Sequence, residues 1–445
     1  MSLPVLFEWP RDRRSLERRL APRKRLLNPA LLAGVAKIFA DVEKRGDAAV
    51  RAATRTFDGV ETSRVSVSEA YVERCIRSLD PRLRRAVAAA DRNIAQVNRA
   101  LMPPAVWQRR IRAGTTIGEK NTALESVALY VPARKGPLVS TALMLVVAAR
   151  VAGVRRIVVA MPPLANGLAD PLTVAAARLA GAHTLVTGNG VALIAGLTLG
   201  TRSIPEVDGI FGPGPAGIAA AMSLAFARGK RAVVGIGPTD SAILAEAGAD
   251  PEWLAADLLC EAEHGPDSSA LLVTLSRPLG REVVRRIERR MDSIEPRRRD
   301  ILRTVFGPGG MGAVVVARNV AEACGIVNGY APEHLLVAGS DRLQREALGR
   351  VNHAGEILLG SYTPFSAANY AIGITAVLPT SGFARCVSGI TCKDMLKTST
   401  LGRLSADALR KLTPSIVALG QYEGFPSHVE AARIRAAKPI RGNHG

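Results

Sequence analysis

The sequence predicts an α/β protein built on parallel sheets, and three observations predict it. Short apolar runs alternate with Ala-rich helical patterns from about Tyr130 to Pro238, and the alternation resumes at Asp250. Hydrophobic residues make up 48% of the chain but aromatic ones only 4%. The core must therefore be built from Ala, Val, Leu and Ile, a composition that suits buried parallel strands under crossover helices. Finally, 445 residues exceed the length at which single cores stop growing, ~250–300, so two or more domains are expected.

Residues 1–25 read as a polar, basic arm. From Pro29 to Arg55 the spacing of Leu32, Val35, Ile38, Phe39 and Val42 is helical, and Asp80–Leu101 predicts a further helix. Val127–Val131, ended by Pro132, predicts a strand, as do Arg156–Ala160, Thr184–Thr187 and Gly209–Phe211. Thr141–Ala152, Asp170–Ala180, Val191–Leu197 and Ala216–Ala227 predict the helices between them. The second pattern predicts helices over Asp250–His264, Arg281–Ile294 and Val320–Asn328, with strands at Ala270–Leu275, Ala313–Ala317 and Leu335–Val337. Glu356–Leu359 then enters a Gly/Ser/Thr-rich segment that runs to Thr380, and the tail is helical over Ser405–Leu419 and Ser427–Ala437.

The formal net charge is +20, from 59 Lys and Arg against 39 acids. Its densest run, Arg281 to Arg299, is interleaved with Glu282, Glu288, Asp292 and Glu295 at helical spacing and holds no aromatics to stack on bases. That run reads as a solvated helix face, so nucleic acid is not an expected partner. Five scattered cysteines without a C-x-x-C suit a reducing compartment. Met1 to Arg19 is too charged for a secretory leader, and no run of ~18 apolar residues offers a membrane span. A soluble cytoplasmic protein is expected.

The most informative stretch is Asp257–Ser268. It ends a helix that Asp250 caps and Pro251 opens, and that Gly265 and Pro266 stop. Glu261 and His264, three residues apart, share one helix face and could hold two corners of a tetrahedral metal site. The same spacing also suits a helix-terminal imidazolium resting on exposed carbonyls. Further along, Glu333-His334 follows Pro332, either as a general acid/base unit or as a polar loop. Two stretches spell G-x-G-x-x-G. Gly307–Gly312 precedes a strand, the wrong order for a phosphate loop. Gly212–Gly217 follows one, but its two prolines remove N–H donors that a pyrophosphate would need.

Taken together, these motifs resemble the histidinol dehydrogenase family. That family carries a helix ending D-L-L-x-Q-A-E-H-G-P-D-S, a P-E-H-L pair, a G-x-x-H-x-L-P-T segment, and a C-terminal Glu with a His five residues on. Here they read Asp257–Ser268, Pro332–Leu335, Gly373–Thr380, and Glu423 with His428. Arg45-Gly46-Asp47, Phe57-Asp58-Gly59, Ala128–Pro132, Ser140–Met144 and Ile210–Gly214 match in the same order. The resemblance implies two incomplete Rossmann-like domains with parallel sheets, an N-terminal arm and a small helical C-terminal segment. The expected division is arm 1–25, first α/β domain 26–129 with 241–381, nucleotide-binding domain 130–240, and C-terminal segment 382–445.

It also implies a homodimer, one zinc per subunit, and NAD as hydride acceptor in oxidising an amino alcohol through an aldehyde to a carboxylate. L-histidinol to L-histidine is the family's default. On that pattern His334 takes the alcohol proton and Glu333 activates water at the aldehyde stage. Glu261, His264, Asn369 and His428 form the zinc shell. Glu261, His264, His334 and Asn369 also face the substrate, with Thr239 at the family's substrate serine. Glu423 and His428 reach across from the other subunit, and Tyr130 meets the nicotinamide. The chain departs from the pattern at several of these points. Position 261 is Gln in the family and Glu here, and 369 is Asp in the family and Asn here, so carboxylate and amide have exchanged places. Ala376 stands where the family has His, and Ala192 and Pro215 fall on two polar cofactor contacts. Losing those contacts would cost ~1–3 kcal/mol in total. Arg134 and Lys135 replace a glycine loop and could meet a phosphate or occupy the cofactor's place. Two alternatives follow: a paralogue acting on a different alcohol or hydroxy acid, or a homologue that has lost hydride transfer and serves as a binding protein.

Overall fold

A computed structural model describes the chain except for residues 1–4, 25–26, 134–135, 234, 236 and 438–445. Its strands are β1 (Val5–Glu8), β2 (Val106–Arg112), β3 (Thr115–Ala123), β4 (Ser126–Tyr130) and β5 (Arg156–Met161). There follow β6 (Thr184–Thr187), β7 (Gly209–Phe211), β8 (Arg231–Ala232), β9 (Asp240–Ala245) and β10 (Ser269–Thr274). The last are β11 (Ala313–Val316), β12 (His334–Ala338), β13 (Glu356–Leu359) and β14 (Leu396–Leu404). The chain divides into two compact units, Met1–Leu101 with Leu124–Met395, and Met102–Ala123 with Leu396–Gly445.

The larger unit holds the two parallel sheets that the α/β pattern predicts. One has the order β6-β5-β4-β7-β8 and the other β1-β11-β10-β9-β12-β13, and every pairing in both is parallel. Both faces of the six-stranded sheet are covered, which its side-chain alternation makes visible. Ile243, Leu272, Leu336 and Leu358 pack one way with the helices Pro251–Ala262, Arg277–Met291 and Pro296–Phe306. Ala242, Leu271 and Leu335 pack the other way with the helix Val320–Tyr330. In the five-stranded sheet, Ala128, Val158 and Ile210 pack against the helices Pro29–Arg45, Gly190–Leu199 and Ala216–Ala227. The helix Val139–Ala152 is apolar almost all round and correspondingly buried.

The smaller unit contains the helical tail, as Ala406–Tyr422 and Pro426–Ala437, together with an antiparallel sheet in the order β14-β3-β2. That sheet was not expected. Its β2, Val-Trp-Gln-Arg-Arg-Ile-Arg, is exposed at every position, so burial imposes no clean hydrophobic alternation on it.

Three further differences are local. The segment expected as an arm contributes β1, paired with β11, and a helix Arg13–Leu20. Only Phe7 and Leu16 of these elements are buried, too few to stand out among the charges. Strand β9, absent from the sequence reading, runs through the middle of the six-stranded sheet. The helix expected to reach His264 stops at Ala262 and leaves His264 in the following turn, ahead of Gly265-Pro266. Among the described residues no helix is long and apolar enough to cross a membrane.

Candidate functional site

The site is assembled at the amino ends of β9, β12 and β13. Asp240 opens β9, His334 opens β12 and Glu356 opens β13. In the usual α/β arrangement ligands collect at the carboxyl ends of parallel strands, so this end of the sheet is the unusual one. Asp240 ties two loops to it. Its Oδ1 accepts from the Glu333 N–H at 2.6 Å and its Oδ2 from the Ser381 N–H at 2.5 Å. Ala331 and Ser381 beside these contacts take positive φ values of 52° and 59°, a conformation rare outside glycine.

The helix Pro251–Ala262 delivers the next group. Asp250 caps it as expected, its side chain accepting from the Glu252 and Trp253 N–H groups at 2.7 and 3.3 Å. On its last turn Glu261 is buried, with 1% of its surface exposed. Its Oε1 accepts from Asn369 Nδ2 at 2.9 Å. Its Oε2 is buried with no hydrogen-bond partner among the described residues, yet His264 Nε2 lies 3.6 Å from it and His334 Nε2 3.8 Å. Asn369 arrives on the short helix Phe365–Tyr370, whose first N–H donates to Asp257 Oδ1 at 3.3 Å. Glu261, His264 and Asn369, some 108 residues apart at their extremes, therefore meet around one carboxylate, Asn369 at Oε1 and His264 nearest Oε2.

His334 is held from both sides. Its Nδ1 is 2.5 Å from Glu356 Oε1, and its Nε2 is 3.5 Å from Glu333 Oε1. The edge of Phe365 stands against the imidazole, with ring centroids 5.7 Å apart. Burial alone would push the His334 value down, but Glu261, Glu333 and Glu356 outweigh it and hold the imidazole well above its ordinary value. Burial raises Glu333 well above the usual carboxyl range. Asp240 and Glu261 add to the rise, and His334 opposes it. Strongly perturbed titratable groups packed together in this way mark a candidate site for proton chemistry.

The remaining expected residues sit on other segments of the chain. Thr239 directly precedes Asp240, and its carbonyl accepts from the Ser269 N–H at 3.0 Å. Tyr130 ends β4 in the five-stranded sheet and is nearly buried. In the smaller unit, Glu423 caps the helix Ala406–Tyr422, and His428, on the next helix, has its ring 5.1 Å from that of Phe425; both are exposed. Ala192 is fully buried inside its helix and Pro215 is exposed. Arg134 and Lys135 fall outside the described residues. Two acidic residues of the cluster escaped the sequence reading as site groups, Asp240 and Glu356. Their signal is an acid opening a short apolar run, as in Glu356-Ile-Leu-Leu and Asp240-Ser-Ala-Ile-Leu, which identifies nothing without the strand register.

Among the described residues no group of three or more His, Cys, Asp or Glu side chains closes into a metal-binding set. A cation is nonetheless what the donor chemistry lacks. Glu261 Oε2 is a buried carboxyl oxygen without a hydrogen-bond donor among the described residues, and two imidazole nitrogens lie 3.6 and 3.8 Å from it. Beside Asn369 opens an apolar cavity of about 350 Å³, walled by Leu83, Val87, Ile94, Leu138, Leu143 and Met144.

Comparison with known proteins places these features in one family. The histidinol dehydrogenase family model matches residues 22–436. A histidinol dehydrogenase from Synechocystis sp. is 40% identical over 413 residues, 91% of this chain and 92% of that protein. A histidinol dehydrogenase homolog from Colwellia psychrerythraea is 35% identical over 399 residues, 89% of each chain. The crystal structure of histidinol dehydrogenase from Elizabethkingia anophelis superposes with a TM-score of 0.89 at 27% identity, covering 97% of this chain and 98% of that one. By sequence and by fold, the chain belongs to the histidinol dehydrogenase family of oxidoreductases.

Proposed function

We propose that the chain is a zinc-dependent, NAD-linked dehydrogenase that oxidises a small polar primary alcohol through the aldehyde to the carboxylate, with L-histidinol as the default substrate. The observation that carries this reading is the buried, unpaired Oε2 of Glu261 between His264 and His334. Zinc held there by Glu261, His264 and Asn369, with His428 contributed by a second copy of the chain, would polarise the alcohol oxygen and oppose the carboxylate field around His334.

The chain's own groups do the rest. His334 Nε2 accepts the alcohol proton, and bound NAD⁺ would supply the hydride acceptor for each of the two oxidations. Glu333 takes a proton from water, and the water oxygen bonds to the aldehyde carbon. The balance is one alcohol, one water and two NAD⁺ giving one carboxylate, two NADH and three protons. Thr239 and Glu423 orient the substrate, and Tyr130 packs on the nicotinamide. The homodimer is part of the site in this reading, because Glu423 and His428 come from the other copy.

A second reading is favoured by one observation. Among the described residues the cavity beside Asn369 has no charged side chain in its wall, and Ala376 stands where the family carries His. A paralogue taking an alcohol with an apolar substituent fits that wall better than a charged imidazole would. The deciding experiment is NADH formation by the zinc-loaded protein over a panel of amino alcohols, apolar alcohols and hydroxy acids, with calorimetric titration of NAD⁺. Saturable turnover, and a Glu333→Gln variant that accumulates aldehyde, are the expected results. Failure of NAD⁺ to bind, with no turnover of any alcohol, would overturn the proposal in favour of a binding protein.

A further inference from the structure

Glu356 belongs to none of the motifs that relate this chain to its family, yet it makes the shortest contact recorded for the His334 side chain. The reason lies in the sheet. Strands β12 and β13 pair in parallel with His334 opposite Glu356 and Leu336 opposite Leu358. Side chains alternate along a strand, so His334 and Glu356 emerge on the same face as Leu336 and Leu358, the face packed under the helix Pro251–Ala262. A one-residue slip in that register would send the carboxylate to the opposite face.

Both groups are buried, and the contact is Nδ1 to Oε1 at 2.5 Å. Glu356 Oε2 is buried as well and has no hydrogen-bond partner among the described residues. The carboxyl group thus depends on the imidazole, and a hydrogen on Nδ1 is the donor within reach of Oε1 among the described residues. With Nδ1 so committed, the other ring nitrogen carries the lone pair of the neutral imidazole. That nitrogen, Nε2, is the one facing Glu333 Oε1 and Glu261 Oε2. The Phe365 ring packs against the imidazole in a T-shaped arrangement, with centroids 5.7 Å apart. A carboxylate on one imidazole nitrogen that leaves the other to do chemistry is the logic of an oriented general base.

We propose that Glu356 is the positioning residue of His334: from the neighbouring strand it fixes the Nδ1–H tautomer and the ring plane, so that Nε2 faces the reacting alcohol. This rests on the reading of His334 as the proton acceptor and deepens it. Glu356 touches neither substrate nor cofactor in this account and acts only through the imidazole.

The test uses the zinc-loaded full chain and four variants: Glu356→Gln, Glu356→Asp, His334→Asn and the double variant His334→Asn/Glu356→Gln. In steady-state alcohol oxidation, E356Q is expected to lower kcat by at least about 10-fold with KM and NAD⁺ affinity nearly unchanged. E356D should restore part of the loss, and the double variant should be no slower than H334N alone. E356Q retaining wild-type kcat while H334N is inactive would overturn the proposal and leave the reading of His334 standing. H334N retaining wild-type kcat would overturn both. A second measurement is independent of turnover. The downfield imidazole N–H proton resonance assigned to His334 should be present in the wild-type protein, lost in H334N, and shifted upfield in E356Q, whose amide oxygen is a neutral and weaker acceptor than a carboxylate. An unshifted resonance in E356Q would overturn the proposal even if no substrate is turned over.

Discussion

Asn369 donates from Nδ2 to Glu261 Oε1 at 2.9 Å, joining side chains 108 positions apart in the sequence. These are the two positions at which carboxylate and amide have exchanged places relative to the family pattern. The exchange is compensating in a physical sense, because either order leaves one acceptor and one donor face to face.

Breaking that complementarity on one side should be costly. Asn369→Asp places two carboxylates in buried contact and is expected to destabilise the metal-free protein by roughly 1–3 kcal/mol. Glu261→Gln leaves two amides and no anionic ligand, and should lower bound zinc. The double variant Glu261→Gln/Asn369→Asp should recover both stability and metal. Thermal unfolding and metal analysis of the four proteins check this, and a double variant no better than its worse parent would contradict it.

Asp257 supplies a pH dependence. Burial raises its carboxyl from 3.8 to about 6, with Glu261 adding to the rise and the Phe365 N–H opposing it. Above that value the native state must carry a buried charge that the unfolded chain carries in water. Between about pH 4 and 6 the unfolded state releases its proton first, so this group's contribution to stability falls as pH rises and then levels off. Asp257→Asn removes the cost and can still accept the Phe365 N–H. Its unfolding free energy relative to wild type should climb from pH 4 to pH 7, by an amount on the order of 1–3 kcal/mol, and its melting temperature should rise with it. A difference that is flat or falls with pH in a thermal-melt series would contradict this assignment.

A methyl group can probe the five-stranded sheet. A Cβ added at Gly190 would lie 2.5 Å from Tyr130 Oη and 2.8 Å from Ile218 Cδ1. Gly190→Ala should therefore displace the Tyr130 ring and cost about 1–3 kcal/mol by overpacking. Calorimetry should show weaker NAD⁺ binding at unchanged zinc content if Tyr130 packs on the nicotinamide.

Thr54 joins distant parts of the larger unit. Fully buried, its hydroxyl donates to the Val50 carbonyl at 2.8 Å and accepts from the Asn189 N–H at 2.8 Å, 135 positions away. Thr54→Val strands a buried N–H and should cost about 1–3 kcal/mol in denaturant unfolding, whereas Thr54→Ser, which keeps both bonds, should cost less than Thr54→Val.

Local signals are legible because they act over a few residues. Asp250 with Pro251, and Asp170 with Pro171, mark helix starts whose caps form as the residue types require. The Ala- and Val-rich alternation announces parallel sheets, since strands buried on both faces have no polar side to show. The motif order from Arg45 to His428 identifies the family. Strand β9 was harder to read: Asp240-Ser-Ala-Ile-Leu-Ala lies fully buried, yet its polar start and small residues resemble a loop. The ribbon of β2, β3 and β14 was hidden for the opposite reason, having little buried face to pattern.

By itself the sequence determined the fold class, the family and the identity of the histidines and carboxylates available for chemistry. Periodicity, capping and motif spacing are properties of neighbouring residues. Tertiary structure decided which of those groups meet. Strand register puts Glu356 on the hidden side of His334, and Asp240 gathers the loops at Glu333 and Ser381. A packed helix turns Asn369 onto Glu261. Each of these contacts spans between 22 and 141 positions of chain, a separation that only pairing and burial in three dimensions can close.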